Sequence, residues 1–399
     1  MKNLPPIQPG AVMEVVPEAL VAGGDALARI EGFPVFLPGG YPGDRLRVRI
    51  TEVKKGFGRG TVEEIVSASS ERREAPCPVA RECGGCDWTE LRLDRQLYWK
   101  KNILGDTLRR IGKFDVAALP AIAVTPSPLT YRLRSRLHVS RGAEALPGFF
   151  ERRSHQVVPL PEECEIVGPE VLGHLGELRE AAGQIPGGAM ETFENGPELT
   201  VSLTPDGSDA RSGGETRIRV AGSEFLLDVR SFFQVNRHLL GELQRRVMEI
   251  AAGTAQRELA WDLYGGVGFF AVPLATRFES VLTVETSRDS SRWAALNAAG
   301  TGKVQAITED VEQFLRRRST RPDFVLVDPP RAGLSPAVGD ALAGSDAEII
   351  CYLSCDPVTF SRDANRLARR GWTLTSIRLI DLFPNTHHIE TLSSFVRER

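Results

Sequence analysis

Apolar and polar positions along this chain follow two regimes. From about Pro9 to Ser67, short alternating runs are punctuated by glycine and proline. The pattern predicts strands at Val12 to Val16, Leu27 to Ile30, Pro34 to Leu37, Arg45 to Val53 and Gly60 to Val66. Gly39-Gly40-Tyr41-Pro42-Gly43-Asp44 is a turn cluster among them. Five strands so close together predict a small closed barrel of the OB type. Further on, Leu91 to Ile111 has helical spacing, with Arg109 and Arg110 in the last turn and Gly112 as the stop. Tyr131 to His138 alternates again and reads as a strand. Residues 170 to 220 are glycine-rich and charged, consistent with a helix and meandering strands, and a helix is expected to open at Ser231 and run to about Ala252.

From Glu258 onward the pattern becomes strand, glycine turn, helix, repeated. Glu258 to Tyr264, Ser280 to Val284, Phe324 to Val327 and Ala347 to Leu353 read as buried strands of a parallel sheet. The expected fold class is multidomain, β and α/β. It comprises an OB-like barrel over 1–68, a central α+β segment over 69–225 and a Rossmann-like domain over 226–399.

Open α/β sheets bind ligands outside the carboxyl ends of their strands, and here those ends carry polar or reactive groups. Tyr264 precedes Gly265-Gly266-Val267-Gly268, Glu285 ends the next strand, Asp328 follows Val327, and Cys355 follows Ser354. A nicotinamide dinucleotide site would show a full G-x-G-x-x-G, and only Gly266-x-Gly268 is in register. Asp262 before the turn and Glu285 after it fit the S-adenosylmethionine variant better. Asp356-Pro357 stops the last strand, because proline brings no N–H and restrains the residue before it. Cys351, inside that strand, is read as an inert core cysteine, whereas Cys355 at its end is read as a reactive thiol.

Charge narrows the partners. A net charge of −3 over 399 residues gives no global attraction to a polyanion, so RNA binding has to come from local basic faces. Arg45, Arg47 and Arg49 alternate with Leu46, Val48 and Ile50, and Lys54, Lys55 and Arg59 surround Phe57, a combination that suits single-stranded RNA. Arg132, Arg134, Arg136 and His138 share one strand face, a candidate phosphate wall. A solvated charged face is the competing reading for both.

Cys77, Cys83 and Cys86 lie in one short stretch, and Cys164 is far along the chain. Four thiolates hold either tetrahedral zinc or a cubane iron–sulfur cluster, and three clustered cysteines with one remote favour [4Fe-4S]. The C-x₃-C-x₂-C spacing of radical chemistry is absent. Apolar content of 42% and charged content of 25% are those of a soluble globular protein. No run approaches membrane-spanning length, and Met1-Lys2-Asn3-Leu4-Pro5-Pro6 lacks a signal-peptide core, so a cytoplasmic location without membrane association is expected. Nothing in the sequence calls for an obligate protein partner.

Taken in order, these motifs resemble one family, the RNA 5-methyluridine methyltransferases, in the subgroup with an N-terminal TRAM domain and an iron–sulfur cluster acting on 23S ribosomal RNA. The residues that carry the resemblance are Gly43-Asp44-Arg45-Leu46-Arg47-Val48 through Lys54-Lys55-Gly56-Phe57-Gly58-Arg59-Gly60, the four cysteines, Phe232-Phe233-Gln234-Val235-Asn236, Asp262-Leu263-Tyr264, Asp328-Pro329-Pro330-Arg331, Ser354-Cys355-Asp356-Pro357 and His388-Ile389-Glu390-Thr391. The resemblance implies that Cys355 is the nucleophile and Glu390 the base. Gln234, Tyr264, Glu285 and Asp328 would contact S-adenosylmethionine, with Asp310 toward its adenine end. Cys77, Cys83, Cys86 and Cys164 would ligate the cluster. Two positions depart from the pattern: Gly265 stands where many members have cysteine, and Asp356 where asparagine is common.

Such chemistry needs these groups. Carbon 5 of uracil attacks a methyl sulfonium poorly until a thiolate adds at carbon 6, and a carboxylate must then remove the carbon 5 proton. The expected substrate is 23S ribosomal RNA. The alternatives are a transfer-RNA uridine-5-methyltransferase and a non-catalytic RNA-binding or assembly factor retaining the fold. An exocyclic-amine methyltransferase would need no Cys355 and usually carries an aromatic residue where Arg331 stands.

Overall fold

In a computed structural model describing residues 5–142, 144–207, 214–317 and 320–397, the two regimes become separate sheets. The segment Met1 to Leu4 lies outside the described residues. Strands Val12–Val15, Ala19–Leu20, Ala26–Ile30, Phe33–Leu37, Arg45–Val53 and Gly58–Ser67 form a first, six-stranded sheet. Its ladder does not close as expected for a barrel: Val12–Val15 and Ala19–Leu20 are its two outer strands. Pro17 breaks the chain between them, and Ala19–Leu20 is too short to continue a ladder.

Leu46, Val48 and Ile50 are buried and Arg45, Arg47 and Arg49 exposed, as alternation requires. The basic face is nonetheless neutralised. Arg45 pairs with Glu14 at 2.8 Å, Arg47 with Glu64, Arg49 with Glu63 at 2.6 Å, and Lys54 with Glu52 at 3.0 Å.

A second sheet joins Val157–Pro159, Pro147–Phe150, Arg134–Val139, Ala189–Asn195 and Glu198–Thr204 in that order. The candidate phosphate wall on it divides. Arg132 lies over the Phe149 ring, 5.3 Å from its centroid, and Arg134 donates to the carbonyls of Val229 and Arg230 at 3.0 Å each. Arg136 alone of the three arginines keeps an open side chain, 62% exposed.

The expected helix from Ser231 begins only at Leu240 and ends at Ala251. Tertiary bonds hold the segment before it extended. Leu133 donates to the Val235 carbonyl at 2.9 Å, and the Asn236 side chain donates to Leu382 O at 3.0 Å. Backbone already bonded elsewhere cannot enter a helix.

The third sheet has eight strands in the order Val304–Thr308, Ser280–Glu285, Leu259–Leu263, Phe324–Val327, Ile349–Ser354, Glu390–Arg397, Trp372–Ile380 and Ile122–Thr125. The first five run parallel, and Glu390–Arg397 runs antiparallel between its two neighbours. An early segment thus completes the far edge: Ile122–Thr125 pairs with Trp372–Ile380. Helix Leu93–Arg110 precedes that strand and buries Trp99, Ile103, Leu104 and Leu108, together with the polar Gln96 and Lys100. Lys100 is fully buried, donating to Asp381 at 2.6 Å and to Phe383 O at 2.9 Å. Among the described residues, no helix is long and apolar enough to cross a membrane.

A buried ion pair that loses one partner leaves an uncompensated charge. Lys100→Met should therefore destabilise the protein by about 3–5 kcal/mol in urea denaturation. Lys100→Met combined with Asp381→Leu should recover most of that loss. A single variant as stable as the parent would contradict this account of the pair.

Candidate active site

Each parallel strand delivers its last polar group to the same edge. Leu263 is in register with both Val284 and Val327, and Val327 with Tyr352, so Tyr264, Glu285 and Asp328 emerge side by side, and Cys355 follows at the same edge two residues beyond Leu353, the residue level with Asp328. Tyr264 takes a left-handed backbone, φ +64°, and Gly266 and Gly268 follow at +55° and +83°, which turns the chain sharply off the strand. Glu285 braces this turn by accepting from Gly266 N at 3.2 Å and from Ser287 N at 2.7 Å. At Gly265 a Cβ would run into Thr283 Oγ1 and the Asp262 carboxylate, so the glycine follows from its neighbours.

Three acids crowd the floor. Asp262 accepts from Thr283 Oγ1 at 3.1 Å; its other oxygen is buried with no well-formed hydrogen bond, only a weak approach from the Ala271 amide. Burial, opposed by Thr283 and reinforced by the Glu285 charge, pushes Asp262 up to about 7. Asp328 is pushed up to about 8 by burial and by Asp262, and accepts from Gln234 Nε2 at 3.3 Å. Glu390 is buried and held well above the usual carboxylate range by desolvation and then by Asp328, with Arg331 opposing.

Cys355 follows Ser354, and Asp356 caps the next helix, Pro357–Ala368, by accepting from Val358 N at 3.0 Å and Thr359 N at 2.8 Å. Asparagine at position 356 would cap equally well. Ser354 pairs with Thr391 across the antiparallel ladder, and continuing that register by one residue sets Cys355 opposite Glu390. Burial, then Glu390 and Asp328, push the thiol up to about 12, with Arg331 opposing. In the ligand-free protein Cys355 is therefore a protonated thiol. Arg331 also lies 3.2 Å from the His388 ring, and burial, His387 and this arginine push His388 down to about 3, so its imidazole is neutral.

Asp310 is exposed at the end of the outer parallel strand. It caps helix Val311–Arg317 by accepting from Glu312 N at 2.9 Å, and its charge reaches the Tyr264 phenol. Asp262 was read from the chain as part of the S-adenosylmethionine turn, whereas the electrostatic roles of Arg331 and His388 beside Cys355 and Glu390 emerge only from the structure.

Away from this edge, Cys77, Cys83, Cys86 and Cys164 line one small apolar cavity with Phe149, Leu160 and Ile166. Gly85 N donates to Cys83 Sγ at 3.3 Å. Among the described residues, no group of three or more His, Cys, Asp or Glu side chains is arranged around a single-ion site. A groove of about 520 Å³ runs between the first sheet, the cysteine loop, the second sheet and His387-His388, lined by Arg136, Arg152, Arg153, Phe150 and His138, the last two rings stacked at 3.7 Å.

A glycine turn, an acid ending the next strand and a second acid at a third strand end define a class I S-adenosylmethionine-dependent methyltransferase. Comparison with known proteins resolves the class further. The family described as tRNA (Uracil-5-)-methyltransferase matches residues 215–397, and the TRAM domain family matches residues 6–62. An uncharacterized RNA methyltransferase of Gloeobacter violaceus is 30% identical over 98% of this chain and 99% of its own length. One from Nitratidesulfovibrio vulgaris is 31% identical over 96% and 95%. The crystal structure of Pyrococcus abyssi tRNA (uracil-54, C5)-methyltransferase with S-adenosyl-L-homocysteine superposes with a TM-score of 0.74 at 25% identity, covering 96% of this chain and 99% of that one. The chain belongs to the TRAM-domain RNA (uracil-5-)-methyltransferases and is an S-adenosylmethionine-dependent RNA methyltransferase.

The raised acids give a signed pH dependence. A carboxyl bound more tightly to its proton when folded favours the native state at low pH. For Asp328, with a folded value of about 8 against ~3.9 unfolded, that contribution fades as pH climbs from about 4 to 8. Asp328→Asn should therefore raise the urea midpoint of ligand-free protein more at about pH 8 than at about pH 5. An equal change at both would refute the raised acid.

Proposed function

We propose that this enzyme methylates carbon 5 of a uridine in RNA by way of a thioether between Cys355 and carbon 6, with Glu390 as the base that releases the product. The observation that carries the reading is the antiparallel register that sets Glu390 against Cys355 at the edge where the cosubstrate turn lies. Cys355 Sγ adds to carbon 6, its proton leaving for a neighbouring acceptor, and the ring electrons move to carbon 5. Bound S-adenosylmethionine supplies an electrophilic methyl group. Glu390 then takes the carbon 5 proton. The electron pair of that C–H bond forms the carbon 5–carbon 6 double bond, and the carbon–sulfur pair returns to Cys355 as thiolate. As base, Glu390 must be ionised when it takes this proton, and the burial that holds the carboxyl high then favours its keeping that proton away from solvent.

For the cosubstrate, Gln234, Tyr264, Glu285 and Asp328 surround the turn, with Asp310 on the adenine side. A pocket floored by Asp262, Asp328 and Glu285 suits a ligand carrying both a sulfonium and an ammonium. The proposed division is 1–68, 69–225 and 226–399: the six-stranded sheet lies in the first part, the five-stranded sheet in the second and the eight-stranded sheet in the third, with Ile122–Thr125 lent to it, while the hairpin of Glu215–Val220 and Ser223–Asp228 spans the last boundary.

What supports a transfer RNA as the substrate, in place of the expected ribosomal RNA, is the likeness along nearly the whole chain to a tRNA (uracil-54, C5)-methyltransferase. That likeness covers 96% of this chain, so it extends over the N-terminal sheet as well as the cysteine segments. The basic groove beside His387 is the proposed RNA path, lined by Arg132 and Arg136 but not by Arg134, with Arg136 the more open of the two. The four cysteines, which line one small cavity, are proposed to hold a [4Fe-4S] cluster in preference to zinc, on the three-plus-one spacing of the ligands along the chain.

Incubation with S-adenosylmethionine and 5-fluorouridine-substituted RNA should give a denaturant-stable adduct, since fluorine cannot leave as a proton. A transfer RNA transcript should react in preference to ribosomal fragments. Cys355→Ala should abolish the adduct and Cys351→Ala should not; an adduct surviving Cys355→Ala would sink the mechanism. Protein purified without oxygen should contain about four irons per chain, and stoichiometric zinc without iron would overturn the cluster.

A further inference from the structure

The loop that leads into Glu390 is held from outside its own domain. Asn385, five residues before the base, is fully buried with a left-handed backbone, φ +64°. Each of its polar atoms is engaged. Its N–H donates to Gln96 Oε1 at 2.7 Å, and its carbonyl accepts from the backbone N–H groups of Asp87 and Trp88 at 3.0 Å each. Its Oδ1 accepts from Gln96 Nε2 at 3.0 Å and Arg73 at 3.1 Å, and its Nδ2 donates to Glu165 at 3.1 Å. Asp87 follows Cys86 and Glu165 follows Cys164. The rest of the loop is braced alongside: Phe383 O accepts from Lys100 at 2.9 Å, and His387 Nδ1 meets Asp87 at 2.6 Å.

Asparagine suits this point doubly. It tolerates the left-handed conformation better than most side chains, and its amide both donates and accepts. A buried hub with every group satisfied allows one arrangement of the strand entry, because any shift leaves several partners unpaired at once.

We propose that Asn385 is a positioning residue, registering the Phe383–Glu390 loop against helix Leu93–Arg110 and the two cysteine segments so that Glu390 meets the carbon 5 proton. The inference rests on the assignment of Glu390 as base. Displacing Glu390 leaves the earlier thiol addition intact but stalls proton removal. Without that proton transfer the carbon 6–sulfur bond persists, and methylated RNA stays attached to Cys355.

The test follows the covalent species on ordinary uridine RNA by rapid quench and denaturing gel. Asn385→Gly keeps the backbone conformation and removes the side-chain hub. It should slow release about tenfold to a hundredfold, as small misplacements of a catalytic group do, so the adduct accumulates without fluorine. The rate of adduct formation and S-adenosylmethionine affinity should stay within about twofold. Asn385→Asp, which keeps the turn and the Oδ1 acceptor and loses the donor to Glu165, is run beside it as the milder variant and should show a smaller accumulation. Release at the parent rate in either folded variant, or slowing of adduct formation in step with release, overturns the positioning role. Glu390→Gln separates the two readings: it should trap the adduct most strongly, and release at the parent rate there would remove Glu390 as base and the inference with it.

Discussion

The site depends on one antiparallel strand in an otherwise parallel neighbourhood. Parallel strands deliver their last residues to the carboxyl edge, while an antiparallel strand delivers its first residue there. Placing Glu390–Arg397 between Ile349–Ser354 and Trp372–Ile380 therefore brings a carboxyl from the start of one strand to a thiol at the end of another. A slip of one residue would turn Glu390 to the opposite face. Leu392 and Phe395, both buried, hold the register. It keeps Thr391 Oγ1 and Ser393 Oγ buried without partners, a cost the packing of the strand offsets.

Electrostatics then decides the resting state. Asp262, Asp328 and Glu390 are all shifted upward because desolvation and mutual repulsion prevent buried carboxylates from ionising together. Burial, then Glu390 and Asp328, hold the Cys355 thiol near 12, even though it stands before a helix N-terminus and near Arg331. Reactivity is thus a property of the complex rather than of the free enzyme. Cys351, inside the strand that Cys355 follows, is by contrast wholly buried.

The segments along the chain are less independent than their composition indicates. Helix Leu93–Arg110 and strand Ile122–Thr125 precede the second sheet in sequence yet pack onto the third. Gln96 and Lys100, one helical turn apart on the buried face, hold the loop that enters the Glu390 strand. The cysteine segments reach the same loop through Asp87 and Glu165. Folding of the central region and geometry at the active edge are thereby joined through buried polar contacts, which tolerate displacement poorly.

Much of this was legible in the sequence, because it is local. Apolar runs of strand length, the glycine turn after Tyr264 and Asp356-Pro357 after Cys355 are short-range features, and they place Glu285, Asp328 and Cys355 at strand ends without knowledge of strand order. What needed the tertiary structure was non-local. The helix expected from Ser231 starts at Leu240 because Val235 and Asn236 bond to distant backbone. The basic strand at Arg45 is neutral because its neighbours contribute glutamates, and Arg134 serves a turn rather than a ligand. Alternation gives the face of a side chain but not the partner waiting there. The pairing of Cys355 with Glu390 likewise depends on strand order and direction, which no local pattern encodes, so proximity between residues 355 and 390 was decided by the sheet.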